Sequence, residues 1–319
     1  MQLWRGVPPY DAPPPPTAVA LGNFDGVHRG HRAVIEQART AAVERGIALG
    51  VVTFEPHPRS VFRPDDPPFR LTLEPLKVRR LEALGVEHCF VLPFNASLAR
   101  LSPAEFSAQI LGAGIGVRHV VTGADFRYGK GRVGDVASLT QDGAKAGFSV
   151  ETAALAGVGE ARFSSSAARQ ALRDGKPEAA AAILGDWHRI EGIVEKGDQR
   201  GRELNYPTAN LALDGVLHPA FGIYAVRAEI LTGPNKGSYD GVASLGMRPT
   251  FDKTVPNFET HIFDFDADIY GETLSVSLIA YQRPEVKFES LDALIAQMDA
   301  DSREARRHLG LQSAPPLPV

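Results

Sequence analysis

Up to about residue 186 the chain sets short apolar runs, near residues 17–22, 48–54, 88–92, 118–122 and 148–154, between stretches of helical periodicity. Strands alternating with helices feed a parallel sheet covered on both faces. From Trp187 onward the texture changes to period-two alternation between Gly and Pro turns, over residues 190–194, 222–228, 258–263 and 274–279. Several short alternating strands of this kind predict an antiparallel barrel. The expected architecture is a doubly wound α/β domain over residues 1–185 followed by a β-barrel domain over residues 186–319. A helix over about 291–309 closes the second half, and the alanine-rich helix over 177–184 is the join. The tail from Ser313 is expected to be mobile.

A chain of 319 residues exceeds a comfortable single core, in keeping with two domains. The single cysteine, Cys89, excludes an internal disulfide and fits a reducing compartment; among His88, Phe90 and Val91 it reads as packing. The proline-rich first 16 residues lack the apolar core of a signal peptide, and no run approaches the roughly 18 apolar residues of a membrane span. A cytoplasmic protein without a membrane partner is the expectation. A net charge of −4 offers no bulk attraction to nucleic acid, so any positive groups that meet phosphate must be local.

The strongest local signal is Leu21-Gly-Asn-Phe-Asp-Gly-Val-His-Arg-Gly-His31, where an apolar strand turns into a helix. Gly22 and Gly26 permit a tight turn, and the helix carries Ala33, Val34, Ile35, Ala38, Ala41 and Ala42. The first turn of a helix leaves N–H groups unpaired and carries partial positive charge, so it favours an anion, to which His28 and His31 add hydrogen bonds. Two histidines at i and i+3 are also the spacing of a metal pair or a polar helix face. Two glycines and an acid at the same turn favour phosphate. Gly129-Lys-Gly-Arg-Val-Gly134 matches G-x-G-x-x-G but follows a polar loop and not a strand, so it reads as a basic loop near a nucleotide and not as a dinucleotide fingerprint. No P-loop occurs. Ser102-Pro-Ala-Glu105 is a capping box that starts a helix.

Segment 22–31 resembles the adenylyltransferase signature of bacterial bifunctional riboflavin kinase/FMN adenylyltransferases, the FAD synthetases. Thr53-Phe-Glu-Pro-His-Pro58, Thr122-Gly-Ala-Asp-Phe-Arg-Tyr-Gly-Lys-Gly131, Pro207-Thr-Ala-Asn210 and Gly246-Met-Arg-Pro-Thr-Phe251 follow in the order that family shows. The resemblance implies ATP, riboflavin, FMN and FAD as ligands and Mg²⁺ as the metal. It implies that His28, His31 and Arg162 serve nucleotidyl transfer, with Gly22, Asn23, Asp25, Gly26, Asp125, Ser165, Ser166 and Arg169 on ATP. Read alone, the three serines 164–166 are as consistent with a helix cap. Ser166 stands where the family has threonine, and Ala167 and Ala168 replace larger residues.

In the second half Pro207 pushes Tyr206 toward an extended backbone, and in an extended segment Thr208 and Asn210 point to one side. Two neutral oxygens on one face suit Mg²⁺; as a bare pattern, Pro-Thr-x-Asn is commonplace. The resemblance assigns Thr208 and Asn210 to the metal and Gly197 and Arg200 to the nucleotide. It assigns Met247, Arg248 and Arg283 to the flavin, and Glu259 as the base for the ribityl 5′-hydroxyl. Alternation alone puts Glu259 and His261 opposite Phe258, Thr260 and Ile262, which equally describes an exposed barrel glutamate. Asn205 stands where the family often has glycine. A single-activity nucleotidyltransferase would share the His-x-x-His loop but leave Pro207-Thr-Ala-Asn210 unexplained, and a non-catalytic flavin-binding protein would need only the barrel.

Overall fold

The apolar run at 17–21 becomes the centre of a six-stranded parallel sheet. Its strands are β1 (Gln2–Arg5), β2 (Thr17–Leu21), β3 (Ala48–Glu55), β4 (His88–Pro93), β5 (Val117–Gly123) and β6 (Ser149–Ala153), in the order β1-β4-β3-β2-β5-β6. All five residues of β2 are buried, as expected for a strand covered on both faces. The chain winds from β2 toward β3 on one side and reaches β5 on the other. The loops after β2 and β5 therefore flank the point where the strand order reverses, where such sheets bind ligands. This computed structural model describes residues 1–153, 157–158, 161–197, 206–249 and 254–311; the tail expected to be mobile lies outside them.

Helix α1 (Arg29–Arg45) buries Val34, Ile35, Ala38, Ala41 and Ala42 and ends on Gly46 at φ 61°. The spacing i, i+1, i+4, i+7, i+8 is the stripe a helix lays on a sheet. Further helices are α2 (Pro58–Phe62), α3 (Glu74–Ala83), α4 (Ala96–Arg100), α5 (Pro103–Glu105) and α6 (Val136–Ala146). The expected capping box starts α5: Glu105 N donates to Ser102 Oγ at 3.2 Å and Ser102 N to Glu105 Oε2 at 2.8 Å. The helix continues as a π-helix over Phe106–Ile115, for which the sequence carries no signal. Strand β1 was not legible either. It is four residues long, and Trp4 anchors it by stacking on Phe90 at 5.9 Å and donating to His88 Nδ1 at 3.1 Å. Cys89 is fully buried in β4, where burial pushes its thiol up to about 12.

The chain forms two compact units, Met1–Asp66 with Glu74–Phe163, and Pro67–Leu73 with Ser164–Val319. A two-stranded hairpin, β7 (Gly157–Val158) and β8 (Ala161–Arg162), closes the first. Helices α7 (Ser165–Arg173) and α8 (Pro177–Leu184) open the main part of the second, where Ala168, Leu172, Ala180 and Leu184 pack with Leu71 and Leu217. Its sheet has the order β10-β13-β12-β11-β14-β9, from β9 (Arg189–Ile193), β10 (Ala209–Leu211), β11 (Gly222–Ile230), β12 (Gly237–Pro249), β13 (Thr254–Ile262) and β14 (Thr273–Arg283). All pairs are antiparallel. Glu195 N donates to Asn210 O at 2.9 Å, so the chain leaving β9 meets β10 and nearly closes the barrel.

Alternation does its work here. Tyr224, Val226, Ala228 and Ile230 of β11 join Leu274, Val276 and Leu278 of β14 inside the barrel. Ala225 and Ile279 on the opposite face, and Ala280 beyond a register shift in the β11–β14 pairing, pack outside it with Ala305 and Leu309 of helix α9 (Leu291–Leu311). The long strand β12 escaped the sequence reading because Gly, Ser and Ala, at nearly half its positions on both faces, blur the alternation.

Candidate functional site

The first unit shapes its site at the carboxyl end of β2. His28 is the N-cap of α1: its Nδ1 accepts the His31 N–H at 3.2 Å, which puts the ring proton of the neutral imidazole on Nε2. The His31 ring stacks on His28 with centroids 3.5 Å apart and meets Phe24 edge-on at 5.1 Å. Phe24 and Val27 are almost fully buried yet sit at φ 52° and 46°, and Gly26 at 86°. A valine in the left-handed region is an outlier of the kind found at ligand sites. Asp25 is buried beneath the turn, and Asn23 is exposed at its tip.

Neighbouring strand ends brace this loop. Gly22 N donates to Val52 O at 3.1 Å, Thr53 Oγ1 to Asn23 O at 3.1 Å, and Thr122 Oγ1 to Leu21 O at 3.1 Å. The exposed Asp125 follows β5 at the same sheet edge, in a turn closed by Phe126 N on Gly123 O at 3.1 Å. The Arg29 guanidinium lies 5.5 Å from the Phe163 ring centroid, which brings the chain just after Arg162 beside the start of α1. The Arg162 side chain lies outside the described residues. His57 caps α2 through Nδ1, which accepts Arg59 N–H at 3.1 Å. The loop over 129–134 is pinched by paired hydrogen bonds between Tyr128 and Gly134, at 3.1 and 3.0 Å, and starts no helix of dinucleotide-binding type. Among the described residues no group of three or more His, Cys, Asp or Glu is placed to hold a metal.

In the second unit, α7 starts with Ser164 as N-cap, its Oγ accepting Ala167 N–H at 3.1 Å. One serine of the three is thus committed to the cap, and Ser165 and Ser166 occupy the first turn. Arg169 donates through Nε to Phe69 O at 2.7 Å and lies 5.3 Å over the Phe69 ring.

The barrel gathers a tighter cluster. Register places Asn210 of β10 directly opposite Glu259 of β13. Thr208 Oγ1 donates to Glu259 Oε2 at 3.4 Å, and Asn257 Nδ2 donates to Glu259 Oε1 at 2.6 Å and to Asn210 Oδ1 at 3.3 Å. Thr208 and Asn210 do share a side, as alternation requires. The backbone of Gly197 lies against Asn210 so closely that a Cβ there would stand 2.6 Å from Asn210 Nδ2. Arg200 and Asn205 lie outside the described residues.

Glu259 and His261 face a cavity of ≈ 380 Å³ between the outer face of the barrel and α9. Its walls mix Ile223, Val242, Val286, Phe288, Leu294 and Met298 with Arg283, Glu285 and Asp301. Arg283 grips Asp301 with two hydrogen bonds, Nε to Oδ1 at 2.8 Å and Nη2 to Oδ2 at 2.6 Å, tying α9 to β14. The Tyr206 hydroxyl donates to Asp299 on the same helix; burial first, and that carboxylate next, raise its pKa. His261 Nδ1 pairs with Pro207 O at 2.9 Å. Met247 is 43 % exposed on β12 and is not among the cavity residues. The Arg248 side chain lies outside the described residues.

Sequence reasoning missed Lys77, Arg80, Asn257 and Asp301. Asn257 was within reach, because it precedes Glu259 by two on one strand and must share its face. The other three act on partners far away in the chain.

Residues 11–167 match the FAD synthetase family and residues 184–309 the riboflavin kinase family. The chain is 38 % identical over 299 residues to the bifunctional riboflavin kinase/FMN adenylyltransferase of Bacillus subtilis (strain 168), covering 92 % of each chain. To the protein of that name from Escherichia coli (strain K12) it is 37 % identical over 312 residues, covering 98 % of this chain and 99 % of the other. A solved structure described as a macrolide-efflux protein from Streptococcus pneumoniae superimposes with a TM-score of 0.84 at 32 % identity, covering 96 % of this chain and 99 % of that one. Among the described residues no helix is long and apolar enough to cross a membrane.

Proposed function

The chain belongs to the bifunctional riboflavin kinase/FMN adenylyltransferase family and makes FMN from riboflavin and ATP and then FAD from FMN and ATP, and on that premise we propose which of its residues carry each reaction. The observation that supports the division is that the histidine loop and the Glu259 cluster are each built inside a different compact unit.

For FAD formation, a phosphate oxygen of FMN attacks the α-phosphorus of ATP, the bond to the bridging oxygen breaks, and pyrophosphate leaves. No protein nucleophile is required, so the chain contributes position and electrostatics. The N-terminus of α1 and the rings of His28 and His31, stacked on each other, meet the charge that grows on the phosphate oxygens. Gly22, Asn23, Asp25 and Gly26 shape the loop. The family resemblance assigns Asp125, Arg162, Ser165, Ser166 and Arg169 to ATP as well.

For FMN formation, Glu259 takes the proton of the riboflavin 5′-hydroxyl as that oxygen attacks the γ-phosphorus and ADP leaves. Asn257 and Thr208 each donate to one carboxylate oxygen and so fix its direction. The oxygen donors Thr208 Oγ1 and Asn210 Oδ1 beside one carboxylate suit Mg²⁺, which supplies neutralisation of the ATP phosphates when bound. Gly197 and Arg200 take the nucleotide side. The apolar walls of the cavity suit a flat isoalloxazine ring, with Arg283 at its edge; Met247 and Arg248, outside that lining, are assigned to the flavin by the family resemblance alone. We place the enzyme in the cytoplasm, where ATP is present and its one thiol stays reduced.

Incubation of the purified chain with riboflavin, ATP and Mg²⁺ should show FMN and then FAD by chromatography, and chelation of the metal should stop FMN formation. Accumulation of FMN without FAD would remove the adenylyl-transfer assignment. We propose 1–185 and 186–319 as the functional domains. A fragment of residues 186–319 is expected to phosphorylate riboflavin. It should melt below a fragment of residues 164–319, because it lacks Ala181, which packs on the barrel, and the α7–α8 pair. A folded but inert longer fragment would mean that phosphorylation needs the first unit.

A further inference from the structure

The turn over residues 22–28 is held from behind by cations. Lys77 Nζ lies 3.1 Å from Thr53 Oγ1 and 3.5 Å from Asn23 O; Arg80 Nη1 donates to Gly26 O at 3.0 Å, and Arg32 Nε to Val27 O at 3.3 Å. Lys77 is 1 % exposed, and the Glu55 carboxylate stands 2.6 Å from it. Helix α3 therefore turns Leu76, Lys77, Arg80 and Leu81 inward together. A buried ion pair is seldom more stabilising than apolar residues of equal volume. Two apolar side chains would fill this space as well, but neither would donate to a carbonyl.

In a trans peptide the C=O and the following N–H point in opposite directions. Drawing Asn23 O toward Lys77 and Val27 O toward Arg32 thus turns the Phe24 and His28 N–H groups to the other side of the turn. N–H groups turned outward beside left-handed residues form a concavity for anions, here next to the α1 N-terminus. The left-handed φ values of Phe24 and Val27 are costly for these residues and persist only where the surroundings fix them.

We propose that Lys77 is a positioning residue for adenylyl transfer: its ammonium, compensated by Glu55, clamps Asn23 O and Thr53 and so holds the phosphate-facing side of the turn. This rests on the assignment of FAD formation to the histidine loop. Lys77→Met keeps the stem and removes the ammonium. Lys77→Met/Glu55→Gln removes both charges and serves if the single variant fails to fold. FAD formation from FMN and ATP is measured on each full-length variant, with thermal melting and with His31→Ala in parallel.

In a folded Lys77 variant the kcat for FAD formation should fall at least about tenfold, within the roughly 10²-fold that a misplacement of about 1 Å costs. The KM for ATP should move less than about threefold, because a transition-state interaction and not uniform binding is lost. Riboflavin phosphorylation in the same samples should stay within about twofold. The proposal is overturned by a folded Lys77 variant with wild-type kcat, or by both Lys77 variants failing to fold, which would make Lys77 a stability residue. Wild-type FAD formation by His31→Ala would overturn the assignment of the reaction to the loop itself.

Discussion

His28→Ala and His31→Ala should each lower FAD formation from supplied FMN by about 10²–10³-fold, the cost of removing one aimed donor from a site where charge develops. Riboflavin phosphorylation by the same preparations should stay near wild type, since neither ring belongs to the unit that holds Glu259. The two variants should differ in stability. His28 caps α1, and its loss releases the His31 N–H, which costs about 1 kcal/mol in typical helices. His31→Ala keeps the backbone N–H that His28 accepts, so this variant should melt closer to wild type while losing as much activity. Coupled chromatography of FMN and FAD with thermal melting reads both effects. Equal loss of the two activities in a folded variant would contradict the division.

Glu259→Gln is the complementary change. It keeps size and the capacity to meet Asn257 and Thr208 but removes the basic carboxylate, so the kcat for riboflavin phosphorylation should fall by about 10²-fold, within the usual range for a general base. FAD formation from supplied FMN should persist. Asn210→Ala should raise the Mg²⁺ and ATP concentrations needed for phosphorylation, because it removes an oxygen proposed for the metal side. Gly197→Ala should share that phenotype, since a methyl group there would displace the Asn210 amide from 2.6 Å. Unchanged phosphorylation by folded Glu259→Gln would return Glu259 to an ordinary barrel carboxylate.

The parts of this molecule that could be read from sequence are those whose cause is local. The five apolar runs of the parallel sheet, the capping box at Ser102, the loop-to-helix turn at His28 and the shared face of Thr208 and Asn210 each follow from residues within one turn or one strand. Glu259 was legible as a residue but not as a site. Alternation fixes which face it occupies, yet whether that face is bare depends on α9, and nothing near Glu259 announces that Leu294 and Met298 will roof it. Lys77 fails the local reading more completely. A lysine in a helix reads as solvated, and here the carbonyl it reaches lies 54 residues away. The strand β12 hides for a different reason: its small residues leave no alternation of size or polarity to detect, and its pairing with β11 and β13 supplies what propensity does not.

The central claim is that one chain runs two reactions on two sets of side chains. Mixing equal amounts of His31→Ala and Glu259→Gln tests it directly. With riboflavin, ATP and Mg²⁺, His31→Ala alone should stop at FMN and Glu259→Gln alone should make little product. The mixture should form FAD at a rate near half that of wild type, because FMN released by one variant is used by the other. A mixture that forms no FAD, although both variants are folded and Glu259→Gln accepts supplied FMN, would contradict the account.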